Sequence, residues 1–152
     1  MPIKRFRGLI ADGAVQNISL HTNDGSVGYK IVKFELMGNK PGDTSYESVV
    51  KIYKIPQTEA SVDAVIDFSD NTMIAAGFLE GSTSVTAVDG KIVIFDNEIF
   101  NQDIYITHKN ILNVGVDDPV NYYIELEQIK LDLTDNTMAT LKDIKNIEAS
   151  YL

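Results

Sequence analysis

The chain has 152 residues, 44% of them apolar, with 13 Lys+Arg against 22 Asp+Glu, two His and no Cys. A chain of this length buries enough surface to fold without a disulfide or metal staple, and without cysteine it has no thiolate zinc site, thiol nucleophile or redox pair. Its net charge of −9 disfavours nucleic acid and anionic membranes as partners, because both reward a continuous Lys/Arg surface, and no window approaches the roughly 20 apolar residues that span a bilayer.

The chain opens with basic residues 1–7, and the apolar stretch 8–11 that follows is broken by Asp12 and too short for a signal-peptide core. The expectation is a product made in the cytoplasm. Residues 1–10 are either an arm that carries Lys4, Arg5, Phe6 and Arg7 to a partner or a first edge strand guarded by those cations. Asp12-Gly13 signals a turn, after which Ile18 and Leu20 alternate with Asn17, Ser19 and His21. Asn23-Asp24-Gly25 is the next turn signal. In 28–37, Val32, Phe34 and Leu36 form one apolar line, with Lys33 and Glu35 on the other side.

Past the turn Asn39-Lys40-Pro41-Gly42, residues 46–55 are partly apolar on both faces, with Val49, Tyr53 and Ile55 opposite Ser48, Val50, Ile52 and Lys54, which predicts a central strand. Residues 67–72 followed by Met73-Ile74-Ala75-Ala76 open either a short helical turn capped by Ser69 or Asp70, or a strand. The Gly/Ser/Thr-rich stretch 80–89 predicts an exposed loop or edge strand, and Asp89-Gly90 a turn. Ile92 with Ile94 and Ile104 with Ile106 mark two further strands, and Asp117-Asp118-Pro119 another turn.

The longest candidate strand, 120–133, changes parity. Tyr122, Ile124 and Leu126 share one face, but Ile129, Leu131 and Leu133 fall on the other, which predicts a bulge near Gln128 or a corner between sheets. From Thr134 or Asp135 the period changes, and Met138, Leu141, Ile144 and Ile147 predict a C-terminal helix over 134–149. The whole predicts one mainly β domain over 1–152, an antiparallel β-sandwich or jelly-roll-like fold with a C-terminal helix.

Chemical signatures are sparse. Only His21 and His108 are available to a catalytic triad, both at predicted strand ends, where packing at the surface or in a loop is the ordinary role. There is no phosphate-binding glycine loop. Asp67, Ser69 and Asp70, or Asp117 and Asp118, offer oxygens to Ca²⁺, but each carboxylate is accounted for by cap or turn duty, so no metal or cofactor is expected. Glu125 and Glu127 share a strand face, the placement of a glycosidase pair but also of any wetted strand. Tyr29, Tyr46, Tyr53, Tyr105, Tyr122 and Tyr123 fit sheet packing better than sugar stacking.

Charge is unevenly spread. Residues 1–54 carry +3, residues 56–108 carry −8 and residues 109–152 carry −4, a polarity that suits docking of like subunits or of a second protein, or serves as a solvated acidic face.

Several phrases resemble a known group. Tyr29-Lys30-Ile31-Val32-Lys33-Phe34, Tyr46-Glu47-Ser48-Val49-Val50-Lys51-Ile52-Tyr53 and Ile66-Asp67-Phe68-Ser69-Asp70-Asn71-Thr72-Met73-Ile74-Ala75-Ala76 are similar to segments of small virion proteins of marine tailed phages, the cyanophage type. So are Asp96-Asn97-Glu98-Ile99-Phe100-Asn101-Gln102-Asp103-Ile104-Tyr105-Ile106-Thr107-His108, Asn121-Tyr122-Tyr123-Ile124-Glu125-Leu126-Glu127 and Ala139-Thr140-Leu141-Lys142-Asp143-Ile144. The resemblance runs from about Tyr29 to the end and rests on phrases rather than a catalytic signature. It implies a non-enzymatic virion component made in the host cytoplasm. A decoration (knob) protein on the capsid exterior, with the major capsid protein or other virion proteins as partners, suits a chain without coiled-coil heptads. Lys4, Arg5, Phe6 and Arg7 are then the docking residues, and a homo-oligomer fits as well. A tail or fibre-attachment protein, a host-glycan-binding module using the 80–89 loop, and a small hydrolase using Glu125, Glu127 or His108 are the alternatives.

Overall fold

The period-two runs fold as strands. The computed structural model describes residues 2–20, 26–41, 45–81, 89–95, 98–112 and 118–131; the helix predicted over 134–149, His21, and most of the 80–89 loop lie outside them. The strands are β1 (Ile3–Ile10), β2 (Val15–Ile18), β3 (Val27–Gly38), β4 (Tyr46–Tyr53), β5 (Met73–Gly81), β6 (Asp89–Ile94), β7 (Ile104–Asn110) and β8 (Val120–Lys130). Among the described residues no helix is long and apolar enough to cross a membrane.

The strands form two antiparallel sheets, a small one ordered β1-β8-β3 and a large one ordered β2-β7-β4-β5-β6. Pairing is nested, the first strand with the last, the second with the seventh, the fourth with the fifth. β4 is the middle strand of the large sheet, as its two partly apolar faces predict. One core joins the sheets: Ile10, Ile31, Phe34, Ile124 and Leu126 come from the small sheet, and Val50, Ile52, Ala75, Ile104 and Ile106 from the large one. Each fully buried aliphatic or aromatic side chain contributes about 1.5–3 kcal/mol to this packing.

Some local expectations are corrected. The parity slip lies in β3, between Ile31 and Lys33, while the pairing of β8 runs on past Gln128. Tyr29 and Ile31 face inward before the slip and Phe34 after it, so Val32, expected inside, is exposed at the bulge. In β8 the apolar parity changes only at its end, with Leu126 and Leu131 both buried on either side of the strand's last residue, Lys130.

Residues 67–73 form two successive turns, with Asp70 N donating to Asp67 O and Met73 N to Asp70 O, and Met73 then begins a strand rather than a helix. The Asp67 and Asp70 carboxylates each take the amide and hydroxyl two residues on, which holds the backbone in turns. Asp89-Gly90 opens β6 instead of turning. At Gly13 the backbone is left-handed, with φ +78°, the conformation that favours glycine, in the turn between β1 and β2.

Candidate functional site

Three features stand out from the scaffold: the open face of the small sheet, a strap across the large sheet, and a buried polar end.

On the open face the register aligns cross-strand rows: Arg5, Glu125 and Lys33; Arg7, Tyr123 and Glu35; Leu9, Asn121 and Met37. Arg5 Nε donates to Glu125 Oε1 at 3.1 Å, and the Tyr123 hydroxyl donates to the same oxygen at 2.7 Å. These bonds, Tyr123's first, hold the Glu125 carboxyl below its ordinary range, and the same carboxylate pushes the Tyr123 phenol and the Arg5 guanidinium up. Lys33 sits 3.6 Å from Glu35 and 5.9 Å from the centre of the Tyr123 ring. Beyond this ladder lies a groove of about 850 Å³ lined by Arg7, Leu9, Glu35, Met37, Asn121 and Tyr123, among others.

The four residues proposed for docking are placed on two sides of β1. Arg5 and Arg7 stand on the open face. Phe6 packs, half-buried, against the domain's own core, and Lys4 donates to the Tyr29 hydroxyl at 3.4 Å while lying 5.6 Å from that ring's centre. β1 is the edge of its sheet.

The strap is the connection from β4 to β5. Lys51 has the parity opposite to the core residues Val50 and Ile52, so it leaves the outer face of the large sheet, yet it is only 3% exposed. Its ammonium donates to Asp63 Oδ1 at 2.6 Å and to the Val65 carbonyl at 2.7 Å, which ties residues 63–65 over the sheet. Beyond this anchor, Val65 and Phe68 stand 65% and 58% exposed, with Phe68 edge-on to Phe95 at 5.3 Å. A second buried lysine, Lys54, meets Glu98 at 3.0 Å. Sequence reasoning gave neither lysine a role; the signal was two cations, Lys51 within β4 and Lys54 just past it, beside 56–72, a stretch with four acidic residues and no basic one.

At the polar end, His108 is fully buried rather than at the surface, with Nδ1 3.1 Å from the Ile10 carbonyl. Asp12 accepts from Asn110 N, and Asn110 Oδ1 accepts from Glu47 N and Leu112 N, so these side chains stitch strand ends together. Tyr46 lies over Gly38 and Gly81, where an added Cβ would meet its ring or hydroxyl at under 3 Å. Burial, then the charge of Asp118, pushes its phenol up. Ser48, opposite Asn110, has a buried hydroxyl with no hydrogen-bond partner, so it makes no nucleophile–base pair with His108.

His108 thus faces the interior while Glu125 and Glu127 lie on the small sheet's outer face, and the structure does not bring them together. Among the described residues no group of three His, Asp or Glu is placed to hold a metal ion. No family model, no curated protein and no solved structure matches the chain.

Proposed function

We propose that this chain is a non-enzymatic structural protein of a tailed-phage virion, a decoration domain seated on the outside of the capsid and docked on the major capsid protein. The observation that carries the proposal is the nested strand order, 1 with 8, 2 with 7 and 4 with 5, which is that of a jelly roll with β6 left on β5, an architecture common in viral shells. Fold alone does not assign a role; the resemblance of the phrases in β3, β4, β7 and β8 to marine phage virion proteins supplies the particle. Docking falls to β1, where Lys4 and Arg5 flank an unpaired edge and Phe6 fixes the strand to its own core.

Cryo-EM reconstruction of the phage that encodes it, icosahedral and asymmetric, with protein stoichiometry by gel, tests this. Density on the capsid at many copies is expected. A few copies confined to the tail would transfer the protein to the attachment or glycan-binding class, and absence from the particle would overturn the virion assignment.

A further inference from the structure

The open face of the small sheet and the strap of the large sheet are complementary in both polarity and charge. We infer that copies of this chain associate head to tail, the strap of one seated in the groove of the next.

The groove offers apolar surface that a monomer would ordinarily cover: Leu9 is 46% and Met37 65% exposed, on either side of Asn121. Its rim carries Arg7, with Arg5 and Lys33 in the adjoining row. Of the carboxylates there, Glu125 is occupied by Arg5 and Tyr123, and Glu35 lies within reach of Lys33. Arg7 forms no ion pair among the described residues.

The strap offers the converse. Val65, Ile66 and Phe68 are all exposed within four residues. They are held in place by the Lys51 clamp below and by carboxylate-capped turns at Asp63, Asp67 and Asp70. The same stretch carries Glu59, Asp63, Asp67 and Asp70 and no basic residue from 56 to 72, with Asp63 paired to Lys51 beneath it. An exposed aromatic on a rigid support, ringed by one sign of charge, has the anatomy of an interface anchor.

The two surfaces lie on opposite sides of the molecule, because each belongs to the outer face of a different sheet. A two-fold contact of strap with strap would oppose carboxylates, and one of groove with groove would oppose arginines; only strap with groove pairs unlike charges. Such a contact is heterologous, so every open assembly keeps one free surface of each kind, and it closes only in a ring or continues as a row. At physiological salt the net charge of −9 is screened beyond about 8 Å, which leaves local charge and apolar contact to decide.

Sedimentation equilibrium and light scattering on the free protein test this without reference to any virion. The wild type is expected to pass from monomer to species larger than a dimer as concentration rises. Arg7→Glu and Asp67→Lys should each weaken association at least about tenfold, and the double variant should recover it. A mixture of the two single variants should recover association as well, in alternating order, since the native strap meets the native groove at one contact and the two charge-reversed surfaces meet at the next. Asp67→Asn, which retains the acceptor of the turn, should still fold at neutral pH and yet associate more weakly, separating charge from folding. A wild type monomeric up to about 1 mM, single variants that associate like the wild type, a double variant that stays apart, or a mixture that associates no better than either single variant would each overturn the inference.

Discussion

Lys51 anchors the strap, because one buried ammonium holds both a carboxylate and a main-chain carbonyl of it. Lys51→Met leaves the Val65 carbonyl without its donor and should cost about 1–3 kcal/mol, read as a lower urea midpoint and faster proteolysis within 56–72. Asp63→Asn should cost less than about 1 kcal/mol, because the amide oxygen still accepts from the Lys51 ammonium and the Asp63 side of the pair is well exposed. The Lys51 hydrogen bond holds Asp63 below the ordinary aspartate range, and Ser69 does the same for Asp67. Their contribution is therefore complete above about pH 3.9 and drains as pH falls through the lowered values. Burial pulls Lys51 down, but the hydrogen bond to Asp63 and the neighbouring Tyr53 outweigh it and the net shift is upward. Its contribution is complete below about pH 10.4 and is lost as pH rises through the raised value. Asp63→Asn should accordingly lower the neutral plateau by that small amount and flatten the acid limb of midpoint against pH. Two tyrosines should also diverge under calorimetry. Tyr122→Phe loses a 2.7 Å bond to Gln16 and should cost about 1 kcal/mol, whereas Tyr46→Phe removes a buried hydroxyl with no partner and should be neutral or slightly stabilising.

Strands declare themselves through alternation, and at this scale much was legible: β4's two partly apolar faces predicted its central place, and Ile104 and Ile106 lie at the core of β7. What alternation does not report is which of two paired strands takes the extra residue. Val32 and Phe34 share parity and chemistry in the sequence, yet the bulge exposes one and buries the other. Val32→Lys should therefore stay within about 0.5 kcal/mol of the wild type, while Phe34→Ala should cost about 3–5 kcal/mol, compared by chemical denaturation. Residues 67–76 left helix and strand open for a related reason. Asp, Ser, Asn and Thr serve helix caps and turns with the same side-chain-to-backbone bonds, and only β4 and β6, closing on either side of β5, select the strand.

For the molecule as a whole, nesting makes the N-terminal strand a structural partner of the last described one, Ile3 facing Glu127. Deleting residues 1–10 would bare one edge of β8 and remove Ile10 and Phe6 from the core, so circular dichroism of that truncation should report loss of the native fold; an intact fold would return residues 1–10 to the role of an arm. Pairings of such sequence separation also make folding slow, in the millisecond-to-second range by stopped flow. Of the candidate surfaces, the cations of β1 and the acidic middle were readable as composition. Their placement on opposite outer faces was not, since it follows from sheet order, and the clamp at Lys51 joins residues that no periodicity links.

The seam between β3 and β6 has a mechanical consequence. The small sheet ends at β3 and the large one at β6, and Tyr29 and Phe100 exchange a pair of main-chain hydrogen bonds near one end of β3. Toward the other end Leu36 and Ile92 meet side by side over Gly77. Under load the β1–β8 ladder resists in shear along its whole length, whereas the Leu36–Ile92 end has only side-chain contact to yield. The domain should therefore behave as a clasp hinged at Tyr29, giving first at the seam while its two ladders stay whole.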